Sequence, residues 1–254
     1  MKNIVFLIAA LLIAPFAFSQ NPTAGDKVED TNLKKDLDYD FDDWQQRKNK
    51  HWQGFDIGIN TLMYDGNDSP PPGYESLRLD YGRSFYFGLN LFEGDAQIAG
   101  EYFKIVSGLG FDFYNFQLRS SDIMYQQNDS LMFYTDSVHS FKNNNMKSGH
   151  ITAPLLLAFN TSPKNSTSFH IAFGAIFSYR LSGKQKTKYD LGEQKHQYLV
   201  KSEMLQNPWK IAATLRLGYG NFHVFANYAL TDFWVAGAAP SARSMVIGLK
   251  VIPW

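Results

Sequence analysis

The chain has 254 residues, with 24 Lys+Arg balancing 24 Asp+Glu, and 16% of its side chains are aromatic, including 21 Phe and 14 Tyr. The even charge gives no reason to expect nucleic acid as a partner, and a mean hydropathy of -0.29 excludes a bundle of membrane helices. With no cysteine, disulfides, thiolate metal sites, a cysteine nucleophile and a lipobox are all out of consideration.

Lys2, the apolar run 4–14 and the small-x-small triplet Ala17-Phe18-Ser19 read as a signal peptide over residues 1–19. The apolar run falls short of the about 20 residues that a spanning helix needs. Residues 20–50 are polar and charged with no sustained period, which is the composition of a flexible periplasmic segment. Phe41 and Trp44 there are either incidental aromatics in a loose tail or a docking patch.

From Trp52 the period becomes 2, and residues 51–254 read as one barrel. Phe55, Ile57, Ile59 and Met63 alternate with Asp56, Gly58 and Asn60. Residues 65–73 (DGNDSPPPG) are loop chemistry. A second strand is expected over 77–91, with Leu77, Leu79, Tyr81, Phe85, Phe87, Leu89 and Leu91 on one face. Arg78, Asp80, Gly82, Ser84, Gly88 and Asn90 occupy the other, and Arg83 interrupts the apolar face. Glu93-Gly94-Asp95 is expected to be a tight turn. In the third strand Phe103, Ile105, Leu109, Phe111 and Phe113 oppose Lys104, Gly108, Gly110, Asp112 and Tyr114. Gly108 and Gly110 are expected to make room for large neighbours in the lumen. Residues 120–148 read as a long polar loop.

The clearest pattern lies in residues 149–180. Ile151, Ala153, Leu155, Leu157 and Phe159 share a face, as do Phe169, Ile171, Phe173, Ala175, Phe177 and Tyr179. Each apolar face runs for about ten residues, the length a tilted strand needs to cross a bilayer. The polar stretch 160–168 is a turn. Residues 181–207 are a second long loop, and strand six follows with Trp209, Ile211, Ala213, Leu215 and Leu217 outward. Gly220-Asn221 is a hairpin turn. Strand seven puts His223 and Asn227 inward, and strand eight puts Met245, Ile247, Leu249 and Val251 outward.

The expected fold is therefore an all-β, eight-stranded antiparallel up-and-down transmembrane barrel, with short and long connections alternating. An even strand count closes the sheet, as hydrocarbon requires of backbone that has no water to bond. Leu155, Leu157, Phe159, Ile171, Phe173, Phe177, Ile211, Leu215 and Leu217 are the expected membrane-facing residues. The rival reading is a soluble lipocalin-like barrel, with these faces turned inward.

SFYFGLNLFEGD, SGLGFDFYNF, ITAPLLLAFNTSP, SFHIAFGAIFSYRLSGKQKTKY and NPWKIAATLRLGYGNFHVFANYAL together resemble the outer-membrane β-barrel family common in Bacteroidetes, with PorT-like domains. The resemblance covers about residues 52–254 and implies an outer-membrane barrel without a defined activity. In the last loop, DFWVAGAAPSA departs from the family's expected pattern.

The expected lumen network is Asp56, Arg78, Asp80, Lys104, Asp112, Arg180, Lys210, Arg216 and Lys250, charges of both signs at inward parity. An eight-stranded barrel is just wide enough for side chains to fill, so these charges should pair with one another rather than line a channel. Asp136-Ser137-Val138-His139 is the one local cluster of the residue types used by barrel proteases and acyltransferases. No second element stands at a defined spacing, and a solvated loop accounts for it. No metal, nucleotide or nucleophile-elbow motif is present, so neither cofactor nor enzymatic activity is expected. Lys184, Lys186 and Lys188 either meet lipopolysaccharide phosphates or form a solvated edge that discourages strand pairing. Trp52, Tyr179, Trp209, Tyr219, Trp234 and Trp254 are expected in the interfacial girdles.

Outer-membrane lipids are the expected surroundings, and the barrel-assembly machinery is the expected partner during insertion, which the C-terminal aromatic would suit. The expected role is structural or interactive, through outer loops or residues 20–50. A loop-rim enzyme and a surface ligand-binding barrel are the alternatives.

Overall fold

Residues 50–99, 102–135, 141–162, 168–191, 194–200, 205–220 and 222–252 are described by a computed structural model. Alternating aromatic and β-branched residues form the strands: β1 (Gly54–Met63), β2 (Phe85–Ala99), β3 (Phe103–Leu118), β4 (Ile123–Gln127), β5 (Ser130–Tyr134) and β6 (Phe141–Asn160). They continue with β7 (Phe169–Leu191), β8 (Gln194–Val200), β9 (Trp209–Tyr219), β10 (Phe222–Ala229) and β11 (Arg243–Ile252). Eight of them close a ring in the order β1-β2-β3-β6-β7-β9-β10-β11, each antiparallel to the next. The ring closes through β11 on β1, from Ile57↔Leu249 to Met63↔Arg243. This is the expected eight-stranded up-and-down barrel.

The apolar faces point outward. Leu155 is 46% exposed, Leu157 43%, Phe173 49% and Leu215 43%, whereas Leu156 and Ala172 on the opposite face are 1% exposed. Phe177 is also exposed, while Phe159, Ile171, Ile211 and Leu217 are half-buried. Two rows of aromatics bound this apolar band. At the short-turn end Phe103 pairs with Phe159, and Phe169, Tyr219 and Phe222 lie in register. At the long-loop end Phe87 pairs with Phe113 and Tyr179 with Trp209.

Three expectations need correction. Residues 77–83 are not strand: two 3-10 turns, Glu75–Leu77 and Tyr81–Arg83, carry the chain over the top of β3. Leu77 and Leu79 are buried there, not outward, because a two-residue period is the same whichever way its apolar side faces. Second, Glu93-Gly94-Asp95 is not a turn. It pairs with Gly108, Ser107 and Val106, and β2 runs on to Ala99. Third, the stretches read as long loops contain strand. β6 begins at Phe141, β7 extends to Leu191 and pairs there with β8, and β4 and β5 form a separate hairpin. Beyond the apolar band both faces of a strand can be polar, so alternation no longer marks it.

Residues 1–49, Asp136 to His139 and Trp254 with Pro253 lie outside the described residues.

Candidate functional site

The lumen is filled in three tiers. At the short-turn end the segment before β1 folds into the barrel mouth. Glu93 accepts hydrogen bonds from three successive backbone N–H groups, those of His51 (3.2 Å), Trp52 (2.7 Å) and Gln53 (2.8 Å). Bonds from a carboxylate to amides are charge-assisted and stronger than neutral ones. The Lys250 Nζ donates to the Lys50 carbonyl at 2.6 Å. The Trp52 ring is thereby drawn in and fully buried, packed with Val106, Leu156, Ala158, Ala172 and Ile176. Only glycine fits beside it: a Cβ on Gly108 would stand 2.8 Å from the Trp52 ring. Three imidazoles line the same end, with His51 edge-on to His170 at 5.4 Å and His170 against His223 at 4.6 Å. A Cβ on Gly218 would strike the His170 ring. Burial pushes the His51 imidazole down to about 4, with Glu93 acting the other way. Among the described residues, no group of three or more His, Asp and Glu is placed to hold a metal ion.

The middle tier is ionic. Arg216 on β9 donates to Asp56 on β1 at 2.7 Å, and Asn90 adds a second donor to the same oxygen at 2.9 Å. The guanidinium lies between the rings of Trp52 (4.7 Å) and Phe225 (5.1 Å). Cation–π contact is strongest where water is excluded, as here. Asp112 on β3 receives the Tyr86 hydroxyl at 2.7 Å and faces Lys210 of β9 at 3.6 Å. The Lys210 ammonium sits 4.1 Å over the Tyr114 ring. These pairs join strands on different sides of the ring, so they act as cross-braces.

At the long-loop end the loops fold inward. Leu62, Leu77, Leu79, Phe116, Met124 and Trp234 belong to one buried apolar cluster that caps the lumen. Backbone bonds interlock the loops: Leu131 donates to Ala238, Val235 to Leu205 and Asn207 to Phe233. Gln185, fully buried, accepts from the Met124 N–H at 3.0 Å and donates to Asn144 at 2.7 Å. Asp122 gathers the hydroxyls of Ser76, Ser120 and Thr135, whose bonds outweigh partial burial and hold its carboxyl below the usual range. A cleft beside Tyr114, His150, Gln206, Lys210 and Phe233 has room for about one water molecule.

Comparison with family models, curated proteins and solved structures returns no match. The arrangement must speak for itself. Arg216 meets Asp56 and Lys210 meets Asp112 inside the barrel, while Lys250 is buried at the short-turn end with the Lys50 carbonyl as its partner rather than a carboxylate. Lys104 is at the short-turn rim, paired with Asp95 at 2.8 Å and partly exposed. Arg180 is half-buried near the long-loop end, where its backbone N–H donates to Pro208. Arg78 and Asp80 are not in the lumen: Arg78 is exposed, and Asp80 pairs with Arg83 at 3.2 Å. They lie on the turns that replace the expected start of β2. Trp52 and Trp234 are buried, one in each end of the barrel, rather than in a girdle. Tyr179, Trp209 and Tyr219 do face outward. In the sequence, His51, Glu93, His170 and His223 have no shared role, because nothing in a local window ties them together. The inward parity of His170 and His223 was the available signal.

Proposed function

We propose that this chain is a small outer-membrane barrel with a filled, double-ended lumen, acting as a structural or interaction component of that membrane. The outward apolar band carries the reading. Phe169 to Tyr179 on β7 and Trp209 to Tyr219 on β9 each cover ten residue steps between aromatic rows. At about 3.3 Å per residue and a tilt of about 40°, that is about 25 Å of height, the height of the apolar band on outer-membrane barrels. Among the described residues no helix is long and apolar enough to cross a membrane, so strands would do the crossing. The export signal over residues 1–19 and the resemblance to barrels with PorT-like domains support the same location.

The ion pairs and the two closures favour a solid barrel over a conduit. What faces outward is the loop cap and the sheet formed by the far ends of β6 and β7 with β8, which suits a protein partner better than a solute. The barrel-assembly machinery would handle insertion. In a cell fractionation, the protein should stay with membranes through a carbonate wash and leave only in detergent. Reconstituted into a planar bilayer, it should give no steady conductance. Recovery in the soluble fraction of a detergent-free lysate would overturn the reading.

A further inference from the structure

The segment that closes the short-turn mouth carries a titratable ring into the lumen. Pairing of β1 with β2 begins at Gly54, whose φ of +134° is a conformation that glycine adopts without strain. There the chain turns, and His51 and Trp52 are buried instead of continuing along β2. The polar grip on residues 50–53 is small. Glu93 holds three amides, and the Lys250 ammonium holds the Lys50 carbonyl.

The rings of His51, of His170 on β7 and of His223 on β10 form a buried row, with centres 5.4 and 4.6 Å apart. Neutral imidazoles pack at such distances, whereas neighbouring imidazolium ions repel. Around His51 stand Glu93 of β2, Lys250 of β11 and Lys104 of β3. Asp95 of β2 balances Lys104 at 2.8 Å. Deeper in, Asp56 of β1 and Arg216 of β9 are occupied with each other at 2.7 Å. β6 offers His170 only the uncharged Asn160. A proton on His51 therefore finds one acid, already shared among three amides, and is opposed by His170 and Lys250.

We propose that residues 50–53 are an acid-released plug: a proton on His51 drives the segment out about Gly54, opening the short-turn mouth and presenting Trp52 outside the lumen. This regulates the interaction role given above and rests on the filled-lumen reading, since only a seated segment can be released. Burial holds the seated His51 ring down to about 4, and a released ring returns to its ordinary 6.5. Protons thus favour the released form. Its ratio to the seated form should rise about 25-fold between pH 7.5 and pH 5.

The test is hydrogen exchange of single backbone amides, read by NMR on the full chain in micelles and corrected for intrinsic rates. Exchange reports local opening even where the open form is rare. From pH 7.5 to pH 5, protection of the Trp52 and Gln53 amides should fall about 25-fold. The Leu156 and Ala172 amides of the barrel wall should keep theirs. In His51→Gln the fall should disappear. Unchanged protection at 52 and 53 in the wild type overturns the plug's release, whether or not the variant folds. A fall shared equally by Leu156 and Ala172 overturns it too, because the whole barrel would then be opening. A fall retained in His51→Gln would place the response on another group and overturn the assignment. Amides 52 and 53 unprotected already at pH 7.5 would remove the filled-lumen reading at this end as well.

Discussion

The two ends of the barrel are closed by opposite means. At the short-turn end a single carboxylate, Glu93, holds three backbone amides and draws one tryptophan into the lumen. At the long-loop end, residues from several loops pool apolar side chains into a cap. The short-turn closure therefore depends on a few directional bonds at a buried site. The cap depends on area, spread over many side chains, and should fail gradually. Between them the ionic tier is the most sensitive to single substitutions, since removing one partner leaves the other charge buried.

The largest effect should come from the ionic tier. Arg216→Leu strands Asp56 in the lumen and should lower stability by about 3–5 kcal/mol, read as a lower temperature for the gel shift between folded and unfolded barrel. Replacing both partners, Asp56→Leu with Arg216→Leu, should recover most of that loss. A double variant no better than the single one would show that the pair does more than neutralise burial.

Next come the two tryptophans, which separate the ends directly. Trp52→Ala empties a site fully enclosed by the barrel and should cost about 3 kcal/mol of global stability. Trp234→Ala should act first on the cap, making the long loops sensitive to protease while the barrel's gel-shift temperature moves less. Equal effects of both variants on both measurements would erase the distinction between a plug and a cap.

How legible these differences were in the sequence depended on what each face touches. An outward side that is apolar across the whole band makes β6, β7 and β9 stand out, and the same alternation gives the inward parity of Asp56, Asp112, Lys210, Arg216 and Lys250. Where a segment leaves the band, parity stops informing. Leu77 and Leu79 alternate as a lipid-facing strand would, but their apolar side is spent on the cap. Trp52 precedes its strand and Trp234 lies in a loop, so neither has a register, and a tryptophan suits a girdle and a plug equally. Glu93-Gly94-Asp95 has turn composition; what holds it in a strand is its pairing with β3, with Glu93 bonded to the 51–53 amides and Asp95 to Lys104 of the neighbouring strand.

A smaller effect should follow pH at the short-turn end. The His51 imidazole is held neutral by burial, down to about 4 against an ordinary 6.5. Between those values the unfolded chain binds the proton that the folded one refuses. Stability should therefore fall as pH drops from about 6.5 toward 4, by at most about 1.4 kcal/mol per pH unit from this group. Urea unfolding in micelles across that range should show the slope, and His51→Phe should flatten it. An unchanged slope in the variant would assign the effect to other groups.

The smallest effect belongs to the surface. Arg243 and Asp232 form an exposed pair at 3.8 Å, and Arg243→Leu should change stability by less than about 1 kcal/mol. A loss comparable to Arg216→Leu would mean that depth in the lumen does not govern these charges.

The most direct measurement is quenching of single-tryptophan variants by brominated phospholipid in vesicles. Trp209 alone, on the outward face, should be quenched strongly, while Trp52 alone and Trp234 alone should be quenched little. Strong quenching of Trp52 with little at Trp209 would turn the barrel inside out and contradict the account.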